Sequence, residues 1–180
     1  LVDRDPSHVV LVGRGGVPAG DSRAAAAVEQ LERQGATVRL VAADISQPGD
    51  VQELLRAMQP GPALAGVIHA AGVFDDRLLA DHDWSLFRRV LAAKVSGAWN
   101  LHLATREMPL DFFALFGSAT TVICSSGLGN YVAANSFLDA LAAHRRALGL
   151  PAVSIGWGPW AGVGMAEAVG SARQAQWAND

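Results

Sequence analysis

The chain holds one tyrosine and one lysine, Tyr131 and Lys94, and this pair opens the chemistry. A phenol can donate a proton, and a nearby cation helps by stabilising the phenolate that remains. Asn135 follows Tyr131 by 4 residues, so on a helix the two side chains share one face. Ser118 precedes Tyr131 by 13 residues and follows Lys94 by 24. Its hydroxyl could hydrogen-bond a carbonyl oxygen. Together these residues could deliver a proton to a substrate oxygen. Plainer readings stand beside this one: a buried tyrosine and a solvated lysine.

A second group could hold a ligand. Arg14 ends a valine-rich run, where a guanidinium could grip a phosphate through paired, charge-assisted hydrogen bonds. Asp44 could accept from an adenine amino group or cap the turn that follows it. Ala70, Ala71 and Gly72 have little bulk, so a ligand could pass close to their backbone. Close helix–strand packing would use the same small residues.

The elements that must position these groups alternate. Apolar runs at 8–14, 36–44, 64–72, 111–118 and 151–158 read as strands. Segments 21–34, 47–58, 83–105 and 129–148 read as helices. The stretch 83–105 carries apolar residues at 87, 90, 91, 95, 98, 99 and 101 and reads as one long helix. Gly35 and Gly149 fit helix ends. From Met165 the chain is Ala-rich and reads as partly helical. Such alternation implies an α/β fold, a doubly wound parallel sheet with right-handed crossovers. Ligands of such sheets sit at the carboxyl ends of the strands. Arg14, Asp44, Ala70–Gly72, Ser118 and the stretch Gly156–Pro159 all fall there.

Composition excludes several classes. The 180 residues are 51% hydrophobic and 17% charged, which fits one globular domain. A net charge of −3 gives no nucleic-acid footprint. No apolar run reaches a membrane span. The single Cys124 allows no internal disulfide, which fits a reducing, cytoplasmic setting. His8, His69, His82, His102 and His144 show no metal-ligand spacing.

The segments "VVLVGR", "AADIS", "GVIHAAGVFDDRLL", "AAKVSGAWNLH", "FFALFGSAT", "GNYVAANSFLDALAAHRR" and "VSIGWGPWAGVGMA" cover nearly the whole chain. Together they resemble the ketoreductase domain of a modular polyketide synthase, within the short-chain dehydrogenase/reductase superfamily. Most members of that superfamily carry Tyr-x-x-x-Lys. This sequence has Asn135 at the lysine place and supplies Lys94 from the preceding long helix, as polyketide and animal-type fatty acid synthase ketoreductases do.

The resemblance implies a Rossmann-like fold and NADPH-dependent reduction of a 3-ketoacyl chain tethered through phosphopantetheine to an acyl carrier protein. Tyr131 would donate the proton, and Ser118 would hold the carbonyl oxygen. Lys94 would bind the nicotinamide ribose and lower the Tyr131 pKa. Asn135 would support a proton-relay water and the position of Lys94. Arg14, Asp44, Ala70, Ala71, Gly72, Lys94, Tyr131 and Pro159 would contact the cofactor, with Arg14 favouring NADP because no acid stands in its place. The motif at 74–76 resembles the Leu-Asp-Asp signature of B-type enzymes, with Phe74 departing at its first place and Asp76 matching the diagnostic residue. An A-type enzyme would carry Trp where Ile123 stands. Phe74, Asp76, Ile123 and Leu128 thus form the expected stereocontrol set, and the product would be a D-configured 3-hydroxyl. Asp75 and Asp76 could instead cap a helix.

The resemblance also places a first strand and a glycine-rich phosphate loop upstream of Leu1, between the strands at 9–12 and 66–70. The 180 residues are therefore expected to be a partial catalytic domain, with a lid beginning at 165–180 and neighbouring synthase domains beyond. Weak NADPH binding by the chain alone is the corresponding expectation. A reductase-inactive scaffolding module is the alternative reading.

Overall fold

A computed structural model describes residues 8–16, 22–75, 77, 80, 83–123 and 127–160. Asp76, Cys124 and the expected tail helix and lid segment at 165–180 lie outside these residues. The chain forms two compact units, residues 1–63 and 64–180.

In the first unit β1 (His8–Gly13) pairs in parallel with β2 (Thr37–Ala42), from His8 opposite Thr37 to Gly13 opposite Ala42. Helix α1 (Ser22–Arg33) makes the crossover between them, and α2 (Pro48–Ala57) follows β2. Pro48 opens α2, where its missing N–H costs nothing. Val51 and Leu54 form the buried stripe of that helix.

The second unit holds three parallel strands in the order β3 (Gly66–His69), β4 (Phe112–Ser118), β5 (Val153–Trp157). The central β4 is the most apolar strand, as a strand flanked on both edges requires. Phe113 and Leu115 are fully buried. Next to Ser118, Gly117 lets β5 approach: a Cβ there would stand 3.0 Å from Ser154 Oγ and 3.3 Å from Ile155 O.

Helix α5 (Gly129–Ala147) buries Tyr131, Ala134, Leu138, Leu141 and Arg145, a stripe of three- and four-residue steps. Arg145 is held by Pro151 O and His102 Nδ1, with its guanidinium 3.9 Å from the centre of the Phe113 ring. Gly149, at φ 75°, ends the helix in a Schellman turn in which Leu150 N–H donates to Arg145 O and Gly149 N–H to Arg146 O.

One sequence expectation needs correction. The stretch 83–105 is not one regular helix. It runs as α3 (Trp84–Leu91), a π turn at Ala92–Ser96, and α4 (Gly97–Thr105). The apolar pattern is nearly blind to one inserted residue, so the wider turn leaves no mark in it. Among the described residues the strands form two parallel sheets, β1–β2 and β3–β4–β5, in keeping with the α/β class expected. β1 and β3 are the strands that the resemblance sets on either side of a further strand.

Candidate active site

β4 ends at Ser118, which is buried and extended at φ −140° and ψ 144°. A short 3-10 turn, Ala119–Thr121, follows at once. It folds Thr120 back so that Thr120 N–H (3.2 Å) and Thr120 Oγ1–H (2.9 Å) both donate to Ser118 Oγ. With those acceptor positions filled, the Ser118 hydroxyl hydrogen is left to point elsewhere.

Lys94 sits inside the π turn and is only 2% exposed. Such turns re-aim side chains and recur at functional sites. Its ammonium donates to Phe116 O on β4 at 2.9 Å and stands 5.7 Å from the centre of the Tyr131 ring. Burial pushes the Lys94 pKa down to about 8.

Tyr131 is 8% exposed and belongs to a core cluster with Val90, Leu128 and Ala134. Phe74 meets its ring edge-on at 5.4 Å. Burial pushes the phenol up, while the Asn135 and Ser118 side chains act the other way by favouring phenolate. Desolvation is the largest of these causes.

Asn135 is fully buried. Its Nδ2 donates to Tyr131 O at 2.7 Å, one turn back on α5. Its Oδ1 is buried and has no partner. Asn135 thus braces the backbone of Tyr131, while Phe116 O and the π turn fix Lys94.

The second unit therefore brings Lys94, Ser118, Tyr131 and Asn135 to the carboxyl end of β4. Ala70, Ala71 and Gly72 follow β3, with Ala70 and Ala71 exposed; Pro159 follows β5, also exposed. Arg14 and Asp44 belong to the first unit. Arg14 is exposed at the end of β1. Asp44 Oδ1 accepts from Ser46 N–H at 3.0 Å, so Asp44 does cap its turn. Hydrogen bonds from Ser46 hold its pKa low, helped by the Arg14 charge. Leu128 is buried core, and Ile123 is 65% exposed. Asp75 caps no described helix; its carboxylate pairs with Arg77 and Arg89, and Asp83 caps α3 instead.

Sequence reasoning missed three side chains. Thr120 orients Ser118. Asn130 contacts both Tyr131 and Asp75. His69, 2% exposed at the end of β3, is held neutral, its pKa pushed down to about 4 by burial and then by the Lys94 charge. A histidine ending an apolar strand beside "AAG" is the one available signal for it.

The sequence matches the KR domain family over residues 1–162. The chain belongs to that family. It is 42% identical over 168 residues to a phenolphthiocerol/phthiocerol polyketide synthase protein of Mycobacterium tuberculosis, covering 93% of this chain and 8% of that protein. It is 46% identical over 168 residues to polyketide synthase GfsB of Streptomyces halstedii, covering 92% of this chain and 3% of that protein. Among solved structures it is similar to an A1-type ketoreductase, with a TM-score of 0.86 and 38% identity over 94% of this chain and 35% of the other. It is also similar to the first ketoreductase of the tylosin synthase, with a TM-score of 0.80 and 40% identity over 93% of this chain and 36% of the other. The chain thus spans a small part of these synthases and about a third of the solved chains. The short-chain dehydrogenase/reductase type of Rossmann fold and the α/β class follow from these likenesses.

Proposed function

We propose that this chain carries the proton-donating machinery of a 3-ketoacyl reductase that uses NADPH and acts within a polyketide synthase. The observation that carries the reading is the buried cluster at the end of β4. One phenol, one ammonium and one hydroxyl converge there, beside an unpartnered amide oxygen.

NADPH fits this cluster. The Lys94 ammonium has three N–H donors and, among the described residues, one hydrogen-bond acceptor, Phe116 O. A ribose diol would satisfy the remaining donors. Ala70, Ala71, Gly72 and Pro159 would let the cofactor lie close to the strand ends, and Arg14 and Asp44 would contact its adenosine end. When bound, NADPH supplies the hydride that reduces the keto carbon.

The chain's own residues do the rest. Ser118, its oxygen engaged by Thr120, donates its hydrogen to the substrate carbonyl oxygen. Tyr131 gives its proton to that oxygen as it becomes a hydroxyl. Burial keeps the phenol protonated until then. Lys94 supplies the positive charge beside the ring as phenolate forms. Asn135 holds the Tyr131 backbone and offers Oδ1 to a relay water that returns a proton.

The substrate would reach the site on phosphopantetheine of an acyl carrier protein, with further synthase domains as neighbours. The reaction would take place in the cytoplasm. Among the described residues no helix is long and apolar enough to cross a membrane. Asp76 and the absence of Trp at 123 favour a B-type enzyme and a D-configured product, with Phe74 the one departure from that signature. Leu128 acts from the core beneath Tyr131.

The test is reduction of a 3-ketoacyl pantetheine thioester by the full natural polypeptide, with chiral analysis of the product. D-hydroxy product formed with NADPH in preference to NADH is expected. L-hydroxy product would overturn the stereochemical assignment, and preference for NADH would overturn the cofactor.

A further inference from the structure

Residues 74, 75 and 77 lie along the start of α5 and are fastened to it. Arg77 N–H donates to Gly127 O at 3.0 Å, two residues before the helix. Phe74 packs edge-on against Tyr131 and onto the Val90, Leu128 and Ala134 cluster. The Asp75 carboxylate, itself only 13% exposed, reaches Arg77 and Arg89, the latter on α3.

Asn130 joins this strap to the candidate proton donor. It is fully buried. Its Nδ2 donates to Asp75 O at 3.1 Å. Its Oδ1 accepts from Tyr131 N–H at 2.7 Å. Both ends of one short amide are in use, each on a different segment. An isosteric aspartate would keep the acceptor and lose the donor. An isosteric leucine would lose both.

We propose that Asn130 is a positioning residue that fixes the spacing between the Phe74–Asp75 stretch and Tyr131, and thereby decides which face of the keto carbon is open to hydride while its oxygen is held by Tyr131. This inference rests on the reductase reading above. Phe74 rides on the strap and touches the Tyr131 ring, so a loosened strap changes the wall beside the phenol without removing any reacting group. The consequence is a change in product handedness and in acyl-substrate KM, with kcat less affected.

The experiment compares wild type, Asn130→Asp and Arg89→Met in the full natural polypeptide. It reads three quantities: the enantiomer ratio, KM against kcat, and amide hydrogen exchange of the peptide containing Phe74 and Arg77. Asn130→Asp is expected to raise the minor enantiomer about tenfold and the acyl KM several-fold, and to speed exchange of that peptide. These magnitudes correspond to losing about one hydrogen bond to a buried group. Arg89→Met, an exposed change that frees Asp75 from α3, is expected to move the same quantities in the same direction by less. It decides the matter if Asn130→Asp does not fold.

A role that is merely structural would lower thermal stability and leave the enantiomer ratio of the surviving turnover unchanged. That result overturns the proposal. If wild type makes no hydroxy product, the reductase reading fails, and exchange judges the strap alone. Faster exchange in Asn130→Asp supports the link, and unchanged exchange overturns it.

Discussion

The candidate residues of the two compact units are set differently. In the second unit Lys94, Ser118, Tyr131 and Asn135 are all buried, and each is held by or against a named neighbour. In the first, Arg14 is exposed and Asp44 is half-buried, and Leu11, Val12 and Leu40 of its two strands lie open as well. Groups that make and break bonds gain from a dry, rigid setting, because fixed dipoles act more strongly where water is excluded. A group that grips a phosphate can stay hydrated until the ligand arrives. The contrast sets the enclosed cluster of the second unit apart from the hydrated Arg14 of the first.

Substitutions test that contrast. The largest effect is expected from Tyr131→Phe, which removes the proton and keeps the ring that packs on Phe74. Its kcat should fall about 10²–10⁴-fold, the usual contribution of positioned proton transfer, with NADPH affinity unchanged. Stopped-flow turnover and a cofactor titration measure the two quantities.

The next effect is on pH. Lys94 loses its charge above about pH 8 because burial disfavours the ammonium. Activity of the free enzyme should therefore drop about tenfold per pH unit above that value. Stability should move the other way. The Lys94 pKa is depressed in the folded chain, against 10.5 for the unbiased side chain. Below pH 8 both states carry the proton, and the burial cost is fully present. Between about pH 8 and 10.5 the unfolded state binds more protons, so stability rises with pH. The gain is at most about 3 kcal/mol. Tyr131, pushed upward, opposes it only above about pH 10. Urea unfolding across this range should show the rise in wild type and lose it in Lys94→Met.

A several-fold effect is expected from Arg14→Ala. It should raise the KM for NADPH about tenfold through loss of a charge-assisted bond, while kcat and the KM for NADH stay put. A change in kcat instead would erase the contrast between the units. The smallest effect belongs to Thr120→Val, which removes the Oγ1–H donor to Ser118 and keeps the backbone one. A fall in kcat of about threefold, without a change in thermal stability, is expected from loss of one neutral hydrogen bond.

Much of this arrangement is readable from the residues. Each strand appears as an apolar run within two or three residues of its observed ends. The set of Lys94, Ser118, Tyr131 and Asn135 is readable through spacing and resemblance. The remainder depends on distances in space. Asn130 and Asp75 are 55 positions apart, and no local pattern links them. The π turn hides because it shifts hydrogen bonds without disturbing composition. The raised Tyr131 pKa follows from packing around the ring, which spacing does not encode.

The most direct test of the central claim is the balance of products in the full natural polypeptide supplied with NADPH and a 3-ketoacyl thioester. The expected result is 3-hydroxyacyl thioester formed in equal amount to NADPH consumed, abolished in Tyr131→Phe. Wild-type protein that binds NADPH and forms no hydroxy product would contradict the claim and leave a scaffold in its place.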